Sequence, residues 1–224
     1  MALKIRNVVI TGANRGIGLE LARAFHAAGD HVTAICWTTS DSLTRLGIRV
    51  VDGIDLADPD AIANLGSGLV DQSIDILVNN AGLRTFETFD DLAADRILHQ
   101  FRINALAPLL VTRAFADKLR DGAKVVLVST RAGSIGDNTS GGEYGYRMSK
   151  SALNMAGVNL AQDMRSRGIA VFMLHPGFVK TDLTDNQGLV SAAESAAKLV
   201  ALTDQLGLAE SGRFFHADGG GLPW

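Results

Sequence analysis

Tyr146 and Lys150 stand four residues apart in the run Tyr146-Arg147-Met148-Ser149-Lys150, a spacing that puts both side chains on one face of a helix. A neighbouring ammonium favours the phenolate and draws a tyrosine from its ordinary pKa of ~10 toward the range useful for proton transfer. Tyr144, the other tyrosine, has Met148 at the matching offset and lacks such a partner. A Tyr/Lys pair on a helix is ordinarily solvated decoration, so its place in the fold must decide its meaning.

Near the other end of the chain, Thr11-Gly12-Ala13-Asn14-Arg15-Gly16-Ile17-Gly18 follows a short β-branched run and leads into an amphipathic segment. Glycines at such spacing let a backbone turn tightly and approach a pyrophosphate, while the helix amino terminus supplies free N–H groups and a positive dipole. A glycine pattern alone is weak; a strand before it and a helix after it make it strong. An NAD-binding protein would carry an acid at the end of the second strand for the ribose 2′-hydroxyl. Here Cys36 and Trp37 stand 18 and 19 residues beyond Gly18, followed by Thr38, Thr39 and Ser40. With no acid present, Arg15 is expected to pair with a 2′-phosphate and the hydroxyls from Thr38 to Ser40 to donate to it, which favours NADP(H).

The elements that must position these groups alternate between β-branched runs at 7–11, 31–37, 48–52, 74–79, 124–130, 169–174 and 213–216 and helical patterns at 16–28, 90–120, 144–167 and 191–206. Alternation of this kind predicts a single-domain α/β fold of the Rossmann type: a doubly wound parallel sheet of about seven strands with helices on both faces. Strands buried on both faces need no polar alternation, as several of these runs lack it. Asp58-Pro59 reads as a helix start, and the stretch 133–142 reads as a loop at the site.

The 224 residues are 47% hydrophobic and 20% charged with a net charge of -3, which gives no electrostatic reason to expect nucleic acid or an anionic membrane as partner. Cys36 is the only cysteine, which excludes an intrachain disulfide and makes a cytoplasmic location the default expectation. With Val8-Val9-Ile10 following Met1 so soon, no signal peptide is expected, and the apolar stretches are too short to span a bilayer. His26, His31, His99, His175 and His216 lack metal-ligand spacing, so no metal site is expected.

The glycine pattern, Asn79-Asn80-Ala81-Gly82, Asn104, Ser129-Thr130, Tyr146 with Lys150, and Pro176-Gly177 together resemble the short-chain dehydrogenase/reductase family in order and spacing over almost the whole chain. Gly133-Ser134-Ile135, Gly141-Gly142 and Leu222-Pro223-Trp224 are similar to the carbonyl-reductase branch that includes the sniffer and C-factor proteins. The resemblance implies that Asn80, Ala81 and Gly82 support the cofactor, that Asp55 and Leu56 border the adenine, and that Pro176, Gly177, Val179 and Thr181 lie near the nicotinamide. It also implies that Lys150 grips the nicotinamide ribose and that Asn104, through its backbone, holds a water linking Lys150 to solvent. The family's substrate-orienting serine is replaced by Thr130, with Ser134 as the nearby competitor for that role. Threonine offers the same donor on a stiffer side chain.

The expected activity is reduction of a ketone or aldehyde by NADPH, reversible toward the alcohol, with Tyr146 supplying the proton. The alternative is an NADP-binding regulatory or signalling protein that acts through a partner. Leu83, Arg84, Phe86, Phe178 and Leu183 are expected around an open substrate pocket, and relatives imply a homodimer or homotetramer.

Overall fold

The computed structural model describes residues 5–66 and 72–224. Seven strands form one parallel sheet in the order β3-β2-β1-β4-β5-β6-β9: β1 (Asn7–Thr11), β2 (His31–Ile35), β3 (Arg49–Val51), β4 (Ile74–Asn79), β5 (Leu119–Val128), β6 (Ala170–His175) and β9 (Phe214–His216). Two short strands, β7 (Val179–Lys180) and β8 (Val190–Ser191), pair with each other beyond β6. The chain winds outward from β1 to β3, then returns to place β4 on the other side of β1. That reversal is the switch point at which open α/β sheets bind ligands beyond their carboxyl ends.

The apolar runs lack alternation because each strand feeds two cores. Val8 and Ile10 face the layer of α1 (Gly16–Ala27) and α7 (Ala192–Gln205), where Leu19, Phe25, Leu199 and Leu202 are buried. Val9 faces the other layer with Ile62, Phe115, Leu153 and Leu160, contributed by α3 (Pro59–Leu65), the residue after α5 (Ala107–Ala114) and α6 (Tyr144–Asp163). Each fully buried side chain of this size stabilises the fold by ~1.5–3 kcal/mol. At Gly157 the long helix α6 comes so close to the sheet that a Cβ would lie 2.2 Å from the Met173 sulfur. This contact seats the helix that carries Tyr146 and Lys150.

The expected strands and helices all have counterparts; the strands at 7–11 and 74–79 keep their expected bounds and the other elements shift theirs. The helix expected over 90–120 is broken: α4 (Ala94–Phe101) passes through a π-turn at Arg102–Leu106 into α5, and Leu119 already pairs with Ile74 in the sheet. Pro108 accompanies the break, since it cannot supply the amide that an α-helix would give the Asn104 carbonyl. The short helix α2 (Asp41–Thr44), capped by Ser40, was not expected. Among the described residues no helix is long and apolar enough to cross a membrane.

Candidate active site

A cleft of about 970 Å³ runs across the carboxyl ends of the strands, from the glycine loop to the start of α6. Gly12 adopts φ +66°, and a Cβ there would sit 2.7 Å from the Ala81 Cα. A Cβ on Gly18 would fall 2.2 Å from the Gly12 carbonyl oxygen and 2.4 Å from Asn80 Nδ2. Asn80 ties the two loops together by donating to the carbonyls of Thr11 and Gly12, both at 3.1 Å. Helix α1 begins with no side-chain cap and no acid in its first turn, so its amides and positive dipole end face the cleft uncompensated. This cradle fits a dinucleotide pyrophosphate.

At the end of the cleft beside β2 and β3, Trp37, Asp55 and Leu56 line it, while Thr38 is exposed outside its wall. Ser40 departs from the expected phosphate-donor role because its hydroxyl donates to the Asn14 carbonyl at 2.6 Å and caps α2. Arg15 is 69% exposed and pairs with Asp182 Oδ2 at 2.7 Å, a partner the sequence does not suggest. The ion pair joins the glycine loop to the segment after β7.

At the other end, Tyr146, Lys150 and Thr130 share the cleft wall with Gly82, Pro176, Gly177, Val179 and Thr181. Burial pushes the Tyr146 phenol up to about 12, against the opposing effects of the Arg84 guanidinium and a hydrogen bond from Thr130; Glu143 raises it further. The sequence expectation of a phenol lowered by Lys150 is corrected here, because desolvation of the phenolate dominates. Burial lowers the Lys150 ammonium to about 8, and its Nζ donates to the Val128 carbonyl at 2.8 Å.

Asn104 stands behind the cleft wall. Its side chain accepts from the Leu83 amide at 2.8 Å and donates to the Leu83 carbonyl at 2.7 Å and to Ser149 Oγ at 3.0 Å. Ser134 is buried outside the cleft, its hydroxyl accepting from the Asp137 amide at 3.1 Å. Thr130, by contrast, combines its contact to Tyr146 with a cap on the Ala132 amide at 3.2 Å.

Leu83, Arg84, Phe178 and Leu183 line the cleft as expected, whereas Phe86 lies outside it, stacked against Arg84. Two features escaped sequence reading. Arg84 is clamped by Glu143, and the buried Glu87 accepts from the Gly145 amide at 3.1 Å and from Gln100 at 3.0 Å, fixing the start of α6. His175, at the end of β6, also lines the cleft; burial lowers it to about 4, and its Nδ1 has no hydrogen-bond partner. None of these pairings follows a local spacing rule. Among the described residues no cluster could hold a metal ion.

A doubly wound sheet with a glycine-loop cradle at its switch point and a Tyr/Lys/Thr group beside the same cleft defines a dinucleotide-dependent oxidoreductase. The chain belongs to the short chain dehydrogenase family, whose model matches residues 6–190. It is 38% identical to the 1-hydroxy-2-glutathionyl-2-methyl-3-butene dehydrogenase of Rhodococcus sp. (strain AD45), over 97% of this chain and 99% of that protein. Its structure is similar to the carbonyl reductase Sniffer of D. melanogaster, with a TM-score of 0.92, 29% identity, and coverage of 99% of this chain and 100% of that one. The NADPH-bound carbonyl reductase from chicken fatty liver follows with a TM-score of 0.88 and 30% identity, covering the same shares.

Proposed function

We propose that this chain is an NADP(H)-dependent carbonyl reductase that also runs in reverse as an alcohol dehydrogenase. The observation that carries the reading is that Tyr146, Lys150 and Thr130 line one wall of a cleft whose far end is the glycine-loop cradle suited to a pyrophosphate. The bound nicotinamide supplies or accepts the hydride. Thr130 orients the substrate oxygen, and Tyr146 protonates it as negative charge develops. With a pKa near 12 the phenol remains protonated across the physiological range, which suits the reductive direction. Lys150 binds the nicotinamide ribose and takes part in resupplying the proton through the Asn104 backbone. Arg15 and the missing acid after β2 favour NADPH over NADH, and the NADPH in the chicken liver neighbour supports the same preference. The substrate is a small carbonyl compound or alcohol. A homodimer or homotetramer is part of the reading, supported by the exposed Met148 and Met155, seven residues apart on one face of α6, and by Leu98 and Phe101 on α4.

NADPH consumption over a panel of aromatic, aliphatic and quinone carbonyls tests the activity. In Tyr146→Phe we expect kcat to fall at least ~100-fold with NADPH binding retained. Near-native turnover in that variant eliminates Tyr146 as the acid.

A further inference from the structure

We propose that Arg84 is a positioning residue for proton transfer: clamped by Glu143, it holds a permanent positive charge against the Tyr146 phenol and sets the pH range in which that phenol releases its proton. The proposal rests on the reading of Tyr146 as the acid. Arg84 follows Gly82 by two residues in the loop after β4, and its guanidinium carbon lies 5.7 Å from the centre of the Tyr146 ring and 4.6 Å from that of Phe86. Its Nε donates to Glu143 Oε1 at 2.7 Å, and Nη2 donates to the same oxygen. Glu143 is held in turn, with φ +50° and an amide that donates to the Glu87 carbonyl at 2.8 Å. The side chains of the pair are only 20% and 19% exposed, so water screens them weakly.

Burial lowers the Lys150 ammonium to about 8, whereas the Arg84 guanidinium keeps its charge at every physiological pH. The groups facing Tyr146 divide clearly. Arg84 and the Thr130 hydroxyl favour the phenolate, Glu143 opposes it, and Lys150 lies one turn further along α6 with its Nζ on the Val128 carbonyl. His99 of α4 and His175 at the end of β6 line the same cleft, and the Glu87 carboxylate is taken up by Gly145, Gln100 and Thr85. Arg84 therefore acts on the reaction through Tyr146.

The test uses the full chain labelled with difluorotyrosine, whose ring fluorines lower the phenol pKa into an accessible range and report its ionisation by NMR. Two tyrosines give two signals, and Tyr144 serves as the internal reference. A unit charge several ångströms from a titrating group in a partly buried site shifts its pKa by on the order of 1–2 units, and Glu143 cancels part of this. Arg84→Met should raise the Tyr146 midpoint by about one unit, a ~10-fold lower phenolate fraction at fixed pH. Arg84→Lys should recover at least half of that shift, and Glu143→Gln should move the midpoint down. A folded Arg84→Met with the native midpoint and an unmoved Tyr144 signal overturns the proposal, as does an Arg84→Lys that behaves like Arg84→Met. Should Arg84→Met fail to fold, Arg84→Gln takes its place with the same readout: a folded Arg84→Gln with the native midpoint overturns it. Failure of the Tyr146 reading is separate, because it would appear as retained turnover in Tyr146→Phe with these midpoints untouched.

Discussion

The glycine-loop wall of the cleft is backbone packed on backbone, whereas the opposite wall, after β6, is held by hydroxyls and an exposed ion pair. On the first, Gly12, Gly18 and Ala81 approach more closely than any side chain would allow. On the second, Ser195 Oγ donates to the Pro176 carbonyl at 2.7 Å, Thr184 Oγ1 to the Val179 carbonyl at 2.7 Å, and Arg15 to Asp182. The first wall has no slack and suits the invariant part of a ligand. The second can shift by exchanging single hydrogen bonds, each worth ~0.5–1.5 kcal/mol, and suits the variable part.

The largest effect should come from breaking the rigid wall. Gly18→Ala puts a methyl group 2.2 Å from a carbonyl oxygen, and overpacking against immovable backbone costs at least the usual ~1–3 kcal/mol. NADPH affinity should fall ~100-fold or more, or the loop should fail to form. Thr184→Val on the adjustable wall should cost no more than ~10-fold. Fluorescence titration with NADPH checks both, and equal losses would remove the contrast between the walls.

Next comes the hydroxyl between the walls. A hydrogen bond that strengthens as charge develops is worth roughly 2–4 kcal/mol, so Thr130→Val should lower kcat/KM by ~30-fold to ~1,000-fold. Ser134→Ala should cost far less, since Ser134 is buried outside the cleft that Thr130 lines. Steady-state kinetics on both, with NADPH binding verified, decide between them; the reverse ranking would give the role to Ser134.

His175 offers a pH-dependent way to sharpen the comparison. Burial, with help from the nearby His216 and Arg131, lowers it to about 4 from an ordinary 6.5. The unfolded chain takes up a proton that the folded one refuses, so its contribution is intact above pH 6.5 and declines as pH falls from there toward 4. At pH 5 the loss should reach about 2 kcal/mol. His175→Gln should flatten this part of the profile, read as the difference in urea midpoint between pH 7 and pH 5. An unchanged difference would show that other groups carry the acid sensitivity.

How much could be read beforehand followed from how local each signal was. The parallel sheet of seven strands and the glycine loop were legible because β-branched runs and glycine spacing act over a few residues, and the pairing of Tyr146 with Lys150 because one helix carries both; the strand order was not, because it depends on which distant runs pair. Helix 90–120 was misread because its periodicity continues through Pro108, while the π-turn and the early start of β5 depend on tertiary pairing of Leu119 with Ile74. Arg84 with Glu143 and Arg15 with Asp182 join residues 59 and 167 positions apart. No periodicity encodes such meetings. Ser40 illustrates the converse: a hydroxyl in the right place for phosphate proves to be a helix cap.

The smallest expected effect concerns the ion pair that spans the two walls. Arg15 and Asp182 are 69% and 64% exposed, and pairs so open to solvent contribute ~0–1 kcal/mol. Asp182 therefore cannot hold Arg15 against a 2′-phosphate, which carries more charge and offers several acceptor oxygens. Releasing Arg15 with Asp182→Asn should tighten NADPH by no more than ~5-fold and leave NADH affinity unchanged. Arg15→Glu should act in the opposite sense and more strongly, because it places a like charge beside the phosphate: NADPH should weaken ~10-fold or more, again with little change in NADH. Raising the salt concentration should shrink both differences, since the groups are screened. Titration of the two cofactors against native protein and both variants at low and high salt measures all of this. Equal affinity of the native chain for NADPH and NADH would mean that Arg15 serves only as the tie to Asp182, with the adjustable wall anchored at the glycine loop and the 2′-phosphate left unread.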